Sequence, residues 1–199
     1  MIRQEINTKN KNFIGCWKIE DQKLFSGMID FFEKNVHLQS KGVTGFGHNE
    51  ESKKTTNINI DPLFLKKEKF NMFNDYFVEL YKCYNDYKQQ WPFLTKTNSE
   101  LDIPTFTLQK YNPGDHFSLI HCERNSTLTM HRVFAWMTYL NDVGYDNGST
   151  YFSHYDVRVK PEMGKTLIWP AEWTHAHAGE ILKFDTKYII SGWMCYPFD

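Results

Sequence analysis

The sequence has no closely spaced cysteines. Cys16, Cys83, Cys122 and Cys195 stand far apart with no CxxC pair, which argues against a disulfide framework or a thiolate metal knuckle and leaves buried free thiols. The first residues, MIRQEINTKNKNF, lack the apolar core of a signal peptide. The most apolar stretches, around Val133 to Leu140 and Tyr188 to Cys195, are too short to cross a bilayer. A reduced, cytoplasmic chain with no membrane partner is expected. Charge excess is missing as well: 23 basic residues meet 24 acidic ones, for a formal net charge of −1. No general positive field exists to hold a phosphate backbone, so nucleic acid is not the expected partner. Apolar material is ample. With 41% hydrophobic and 17% aromatic residues in 199, the chain can bury a core, and residues 1–199 read as one domain without repeats or a clear linker.

Histidine is distributed unevenly. Of the eight histidines, at 37, 48, 116, 121, 131, 154, 175 and 177, six fall between His116 and His177. The chain itself changes character near Leu101. Before it, Asp21 can cap a helix to about Asn35 with Leu24, Phe25, Met28, Ile29 and Phe32 on one face. A second helix, from about Glu68 to Gln90, carries a stripe of Phe70, Phe73, Phe77, Leu80, Tyr81 and Tyr84 and stops at Pro92. Between them, Gly42 to Ile60 is polar and rich in Gly, Lys, Asn and Thr, the composition of a loop and a candidate lid.

After Leu101 come short β-rich runs separated by turn signals at Asn112-Pro113-Gly114, Asp146-Asn147-Gly148, Pro161 to Gly164 and Ala178-Gly179. Strands are expected near Phe106 to Tyr111, Phe117 to Glu123, Arg132 to Asn141, Ser149 to Ser153, Val157 to Lys160, Thr166 to Trp169, His175 to His177 and Lys187 to Met194. The fold class is α+β: a double-stranded β-helix, or jelly roll, over 101–199, supported by N-terminal helices and a loop over 1–100.

One residue separates His121 from Glu123, so a strand would point both to one face. A third metal ligand must come from elsewhere, and His175 and His177 in WTHAHAG are the obvious suppliers. Two imidazoles and one carboxylate leave several coordination positions open, the arrangement of non-haem Fe(II) oxygenases.

The surrounding motifs carry a resemblance. Tyr111 lies ten residues before His121 in YNPGDHFSLIH, Arg132 opens the run RVFAWMTYLND, a GSTYF turn follows, and His177, Lys187 and Trp193 recur at fixed spacings in HAGEILKFDTKYIISGW. In these features the segment from Tyr111 to Trp193 resembles the catalytic domain of the 2-oxoglutarate and Fe(II)-dependent dioxygenases, prolyl 4-hydroxylase-like branch. It departs at one position, where His121-Cys122-Glu123 replaces the family's usual HxD with HxE.

The resemblance implies an enzyme that uses Fe(II), 2-oxoglutarate and O2, with ascorbate as a candidate auxiliary, and hydroxylates a substrate C–H bond with release of succinate and CO2. A prolyl residue of a peptide or protein is the implied substrate; a free amino acid or other small molecule is the alternative. The implied metal ligands and catalytic residues are His121, Glu123 and His177. The family spacing to Lys187 selects His177 over His175. Lys187 would bind the distal carboxylate of 2-oxoglutarate, Tyr111 and Tyr139 would donate hydroxyl hydrogen bonds to it, and Trp193 would wall the site. Arg132 matches a family arginine without an assigned role, and Trp173, His131 and His175 are expected near the mouth. Competing readings are a zinc hydrolase, which has no use for Lys187 at that spacing, a cupin-like binder, whose ligand spacing is absent, and a non-catalytic jelly-roll protein with a vestigial site.

Overall fold

A computed structural model describes residues 1–45, 47–97, 100–144 and 147–197. Twelve strands are present among these residues: β1 (Ile2–Gln4), β2 (Gly15–Lys18), β3 (Ser40–Lys41), β4 (Thr56–Ile60), β5 (Phe106–Tyr111), β6 (Phe117–His121), β7 (Arg132–Tyr139), β8 (Thr150–Phe152), β9 (Val157–Val159), β10 (Lys165–Pro170), β11 (His177–Gly179) and β12 (Lys187–Cys195). All the strand pairs are antiparallel. They form an eight-stranded sheet in the order β1-β2-β10-β7-β12-β5-β4-β3 and a four-stranded sheet in the order β6-β11-β8-β9. This is the expected jelly roll, with two helices added against its larger sheet.

Helix α1 (Gln22–Lys34) begins where Asp21 accepts a hydrogen bond from the Leu24 amide at 3.0 Å, satisfying one of the free donors of the first turn. Helix α2 (Asn71–Gln90) follows a 3-10 turn over Glu68–Phe70 and ends before Pro92, with a short α3 (Leu94–Thr97) beyond it. The buried stripe of α2 includes Tyr76 and Tyr87, whereas Tyr81, expected on it, is exposed. No helix among the described residues is long and apolar enough to cross a membrane.

The sheet separates two apolar layers. Along β7, Phe134 and Trp136 face the helices, where Trp136 meets Tyr76 and Phe77, while Ala135, Met137 and Tyr139 face the four-stranded sheet and meet Phe152, Val159 and Trp169. The period of two that makes a strand therefore fills both layers from one segment. Gly192 lies on the helix side; a Cβ there would come within 2.6 Å of the Trp136 indole, so β12 approaches that ring only without a side chain.

Several boundaries differ from the sequence expectation. The loop expected over 42–60 includes strand β4, in which Ile58 and Ile60 are buried and which pairs with β5; its asparagines imitate a turn composition inside an alternating strand. Phe46 within that stretch, and Asp146 of the expected Asp146–Gly148 turn, lie outside the described residues. Strand β6 stops at His121, because the amides of Glu123 and Arg124 both bond to the carbonyl of Ala171 at 3.1 and 2.9 Å. The strand expected at His175 to His177 is instead a 3-10 turn over Trp173–His175 followed by β11. Amides of His175 and Ala176 close that turn onto Glu172 and Trp173. Strands β1 and β2 were not expected; they extend the larger sheet beyond β10.

Candidate active site

His121 ends β6 and His177 begins β11, and the two are direct partners across the antiparallel ladder. Their rings lie 4.4 Å apart, centroid to centroid. Each imidazole is oriented from behind: Nδ1 of His121 contacts the Leu119 carbonyl at 2.8 Å and Nδ1 of His177 contacts the His175 carbonyl at 2.9 Å. A carbonyl only accepts, so Nδ1 carries the proton in both rings and the Nε2 lone pairs face forward. They face the same atom. Nε2 of His177 is 3.3 Å and Nε2 of His121 is 3.5 Å from Oε1 of Glu123.

Glu123 reaches this point from beyond the end of β6, anchored at its amide by Ala171. Its second oxygen, Oε2, accepts a 2.7 Å hydrogen bond from the indole Nε1 of Trp193. The Arg132 guanidinium stacks 3.6 Å above the Trp193 ring, donates to the Glu123 carbonyl at 3.0 Å and lies 3.7 Å from Oε2. Burial pushes the Glu123 carboxyl up, but in the metal-free site His121 and His177, when doubly protonated, donate to it from Nε2 and their charge holds it well below the ordinary carboxylate range; a bound cation would take the place of those protons. The three groups offer one ligand atom each, all within 4.8 Å of one another.

This donor set fits a divalent cation. Two imidazole lone pairs and a carboxylate oxygen repel one another unless a proton or a cation lies among them, and N2O donors suit iron and its neighbours in the first transition row. Aromatic packing fixes the rings: Phe117 stacks on His121 at 3.9 Å and Trp169 meets His177 edge-on at 5.0 Å.

The cavity in front of these groups runs inward between the two sheets to Lys187. Lys187 opens β12 beside Tyr111 of β5 and is only 2% exposed. Its ammonium donates to the Gly148 carbonyl at 2.7 Å and sits 4.3 Å over the Tyr111 ring. Burial pushes it down to about 7, opposed by the charge of Glu180. The Tyr111 hydroxyl donates to Gln109 at 3.0 Å, and both side chains line the cavity.

Tyr139 is not on that wall. Its hydroxyl is engaged by Thr150 at 2.6 Å and the Val159 carbonyl at 3.1 Å. His175 is turned away as well, with Nε2 on the Asn12 carbonyl at 2.7 Å and Tyr155 at 3.3 Å, and burial pushes its pKa down. Trp173 is exposed in the turn before β11, and His131 lies just before β7, its carbonyl accepting from the Tyr196 amide. Gln109 and Lys53 are among the cavity residues to which the sequence reading gave no site role. Gln109 was findable, since it lies two positions before Tyr111 and shares its face of β5. Lys53 was not, because nothing in a polar run signals that one of its lysines turns inward.

Residues 106–195 match the family model described as the 2OG-Fe(II) oxygenase superfamily. The chain is similar in structure to a prolyl-4-hydroxylase of Pseudomonas putida, with a TM-score of 0.71 at 15% identity over 94% of this chain and 95% of that one. It is also similar to a Trichoplax adhaerens prolyl hydroxylase in complex with a hypoxia-inducible-factor peptide fragment, with a TM-score of 0.71 at 11% identity over 94% and 84%. A viral collagen prolyl hydroxylase of Paramecium Bursaria Chlorella virus-1, in complex with 2OG, aligns with a TM-score of 0.59 at 15% identity over 94% and 97%. A search of curated proteins gives no match. The segment that matches the 2OG-Fe(II) oxygenase superfamily contains His121, Glu123, His177 and Lys187 together, and it lies within a fold similar to that of the prolyl hydroxylases.

Proposed function

We propose that His121 and His177, through Nε2, and Glu123, through its carboxylate, hold Fe(II), and that Lys187 holds the distal carboxylate of 2-oxoglutarate. The reaction is hydroxylation of a prolyl residue in a peptide or protein: the substrate C–H, O2 and 2-oxoglutarate give the hydroxylated product, succinate and CO2. The observation that carries this reading is the convergence of the Nε2 atoms of two imidazoles on one half-buried carboxylate oxygen. When bound, the iron and its cosubstrate supply the oxidising power that no side chain has.

The chain's own residues orient and enclose. Trp193 and Arg132 fix Glu123 on the side away from the imidazoles. Lys187 offers a buried charge-assisted donor at the inner end of the cavity, where a carboxylate finds little competing water. Tyr111 supports it: the ring lies under the ammonium and the hydroxyl is directed to Gln109. Tyr139 packs behind Thr150, off the cavity wall, and has no hydroxyl proton to spare for the cosubstrate. The prolyl preference draws on likeness of fold to prolyl hydroxylases, one of them in complex with a peptide.

The test is anaerobic binding of Fe(II) and 2-oxoglutarate, then succinate release in air with prolyl peptides. Cosubstrate-dependent succinate that disappears in His121→Ala, Glu123→Ala and His177→Ala supports the assignment; turnover unchanged in these variants overturns it.

A further inference from the structure

The cavity holds a second buried lysine for which the proposed metal and cosubstrate have no evident use. Lys53 lies between β3 and β4 and is 8% exposed, with its side chain on the cavity wall alongside Phe117, His121 and Glu123. Its position is built. The neighbouring Lys54 pairs with His116 through both backbone hydrogen bonds, at 2.8 and 3.1 Å, and the Leu119 amide bonds to the Ser52 carbonyl at 3.3 Å, so residues 52–54 are fastened alongside β6. Extended backbone then sends successive side chains opposite ways. Lys54 goes outward to Asp115, 3.3 Å away, and Lys53 goes inward. Gly42 leaves room for the stem; a Cβ there would meet Thr55 Oγ1 at 2.1 Å and the Lys53 Cε at 3.2 Å.

The ammonium has an aromatic neighbour but no oxygen. It sits 4.6 Å over the Phe117 ring, and among the described residues it makes no hydrogen bond or ion pair. Burial pushes Lys53 down to about 8, opposed by the charge of Glu123, so it is charged at neutral pH. Charge in the cavity is therefore unbalanced. Glu123 is the one carboxylate among the described residues that line it, against Lys53 and Lys187, with Arg132 behind Trp193. A divalent cation and the dianionic cosubstrate cancel each other and leave the excess positive charge in place.

We propose that Lys53 is a specificity-determining residue that receives a carboxylate of the substrate, either an acidic side chain beside the hydroxylated residue or the α-carboxylate of a free amino acid. An ammonium desolvated on an aromatic face and lacking an oxygen partner gains most from a carboxylate that displaces the remaining water. This inference rests on the proposed function, since it takes the deep lysine and the metal to be satisfied by 2-oxoglutarate.

The test uses the full chain loaded with Mn(II) in place of Fe(II) and with 2-oxoglutarate, and reads binding by calorimetry. Two matched pairs are the probes: acetyl-Glu-Pro-Gly-amide against acetyl-Gln-Pro-Gly-amide, and L-proline against L-prolinamide. The expected result is that the carboxylate member of one pair binds at least tenfold more tightly than its amide. The pair that responds identifies the source of the carboxylate. That preference should vanish in Lys53→Met, return largely in Lys53→Arg, and leave the affinity for 2-oxoglutarate within twofold. A thermal melt of each variant separates loss of the fold from loss of the contact. No carboxylate preference in either pair, a preference that survives in Lys53→Met, or a matching loss of 2-oxoglutarate affinity overturns the role of Lys53. If 2-oxoglutarate itself fails to bind the metal-loaded wild type, it is the proposed function that falls.

Discussion

The indole of Trp193 and the carboxylate of Glu123 are joined by a 2.7 Å hydrogen bond to Oε2, which leaves Oε1 to the two imidazoles. Glutamate thereby spans from an indole donor on β12 to a point between β6 and β11. Aspartate, shorter by about 1.5 Å, cannot keep both contacts from the same backbone position. Glu123→Asp is expected to weaken Fe(II) or Mn(II) binding about tenfold even though it restores the family's commoner residue, and Trp193→Phe to weaken it by about as much, since removing the group that orients a metal ligand costs roughly 10–100-fold in affinity. Metal titration followed by calorimetry checks both. An aspartate variant that binds metal as well as the wild type would show that the tryptophan bond is incidental.

His175 and His177 differ in position and not in chemistry, so alanine at each separates the two roles. His177→Ala should abolish metal binding. His175→Ala should keep it and instead lose stability, by about 1–3 kcal/mol, because the partly buried Asn12 carbonyl is left without its donor. Chemical denaturation alongside metal titration distinguishes the two. Loss of metal affinity in His175→Ala with His177→Ala unaffected would reverse the assignment.

This pair also marks where the sequence was legible and where it was not. A family spacing to Lys187 selected His177 over His175, and the structure sets His177 beside Glu123 and His121; alternation placed both histidines on one face, and the Trp173–His175 turn separates them. Periodicity worked where one pattern ran long enough, in α1, α2, β5, β7 and β12. It failed for β1 to β4, short strands at one or the other end of the larger sheet whose pairing depends on β10 and β5, far away in sequence. Lys53 was illegible for the same reason, because backbone pairing between Lys54 and His116 decides which of two adjacent lysines is buried.

Lys187 should make cosubstrate affinity and stability respond to pH in opposite senses. Burial lowers its pKa from 10.5 to about 7 in the folded, ligand-free protein. The carboxylate needs the ammonium, so 2-oxoglutarate affinity should be highest below pH 7 and fall above it, approaching tenfold per pH unit. For stability the sign is reversed. Between pH 7 and 10.5 the unfolded chain holds the lysine proton and the folded one does not, so folding gains as pH rises through that window and the burial cost is largest below it. Lys187→Met should therefore be most stabilised relative to wild type near pH 6 and lose about half of that advantage by pH 9, while binding 2-oxoglutarate poorly throughout. Melting temperatures of the metal-free proteins at the two pH values test this, and an advantage that grows with pH would contradict it.

The two tyrosines expected to serve the cosubstrate should separate on substitution. Tyr139 is fully buried and its hydroxyl bridges Thr150 and the Val159 carbonyl, so Tyr139→Phe leaves a buried acceptor unpaired and should cost about 1–3 kcal/mol of stability. Its 2-oxoglutarate affinity should stay within twofold, because no part of the side chain lines the cavity. Tyr111 lies under the Lys187 ammonium, and a desolvated contact of that kind is worth about 2 kcal/mol. Tyr111→Leu removes the ring, leaves the buried lysine harder to keep protonated, and should weaken 2-oxoglutarate binding by about tenfold at pH 7.5, with part of the loss recovered at pH 6. Tyr111→Phe keeps the ring and should retain most of the affinity. Calorimetric titration of the metal-loaded variants decides the order, and a larger effect from Tyr139→Phe than from Tyr111→Leu would mean that Thr150 and Tyr139 rearrange to reach the cosubstrate.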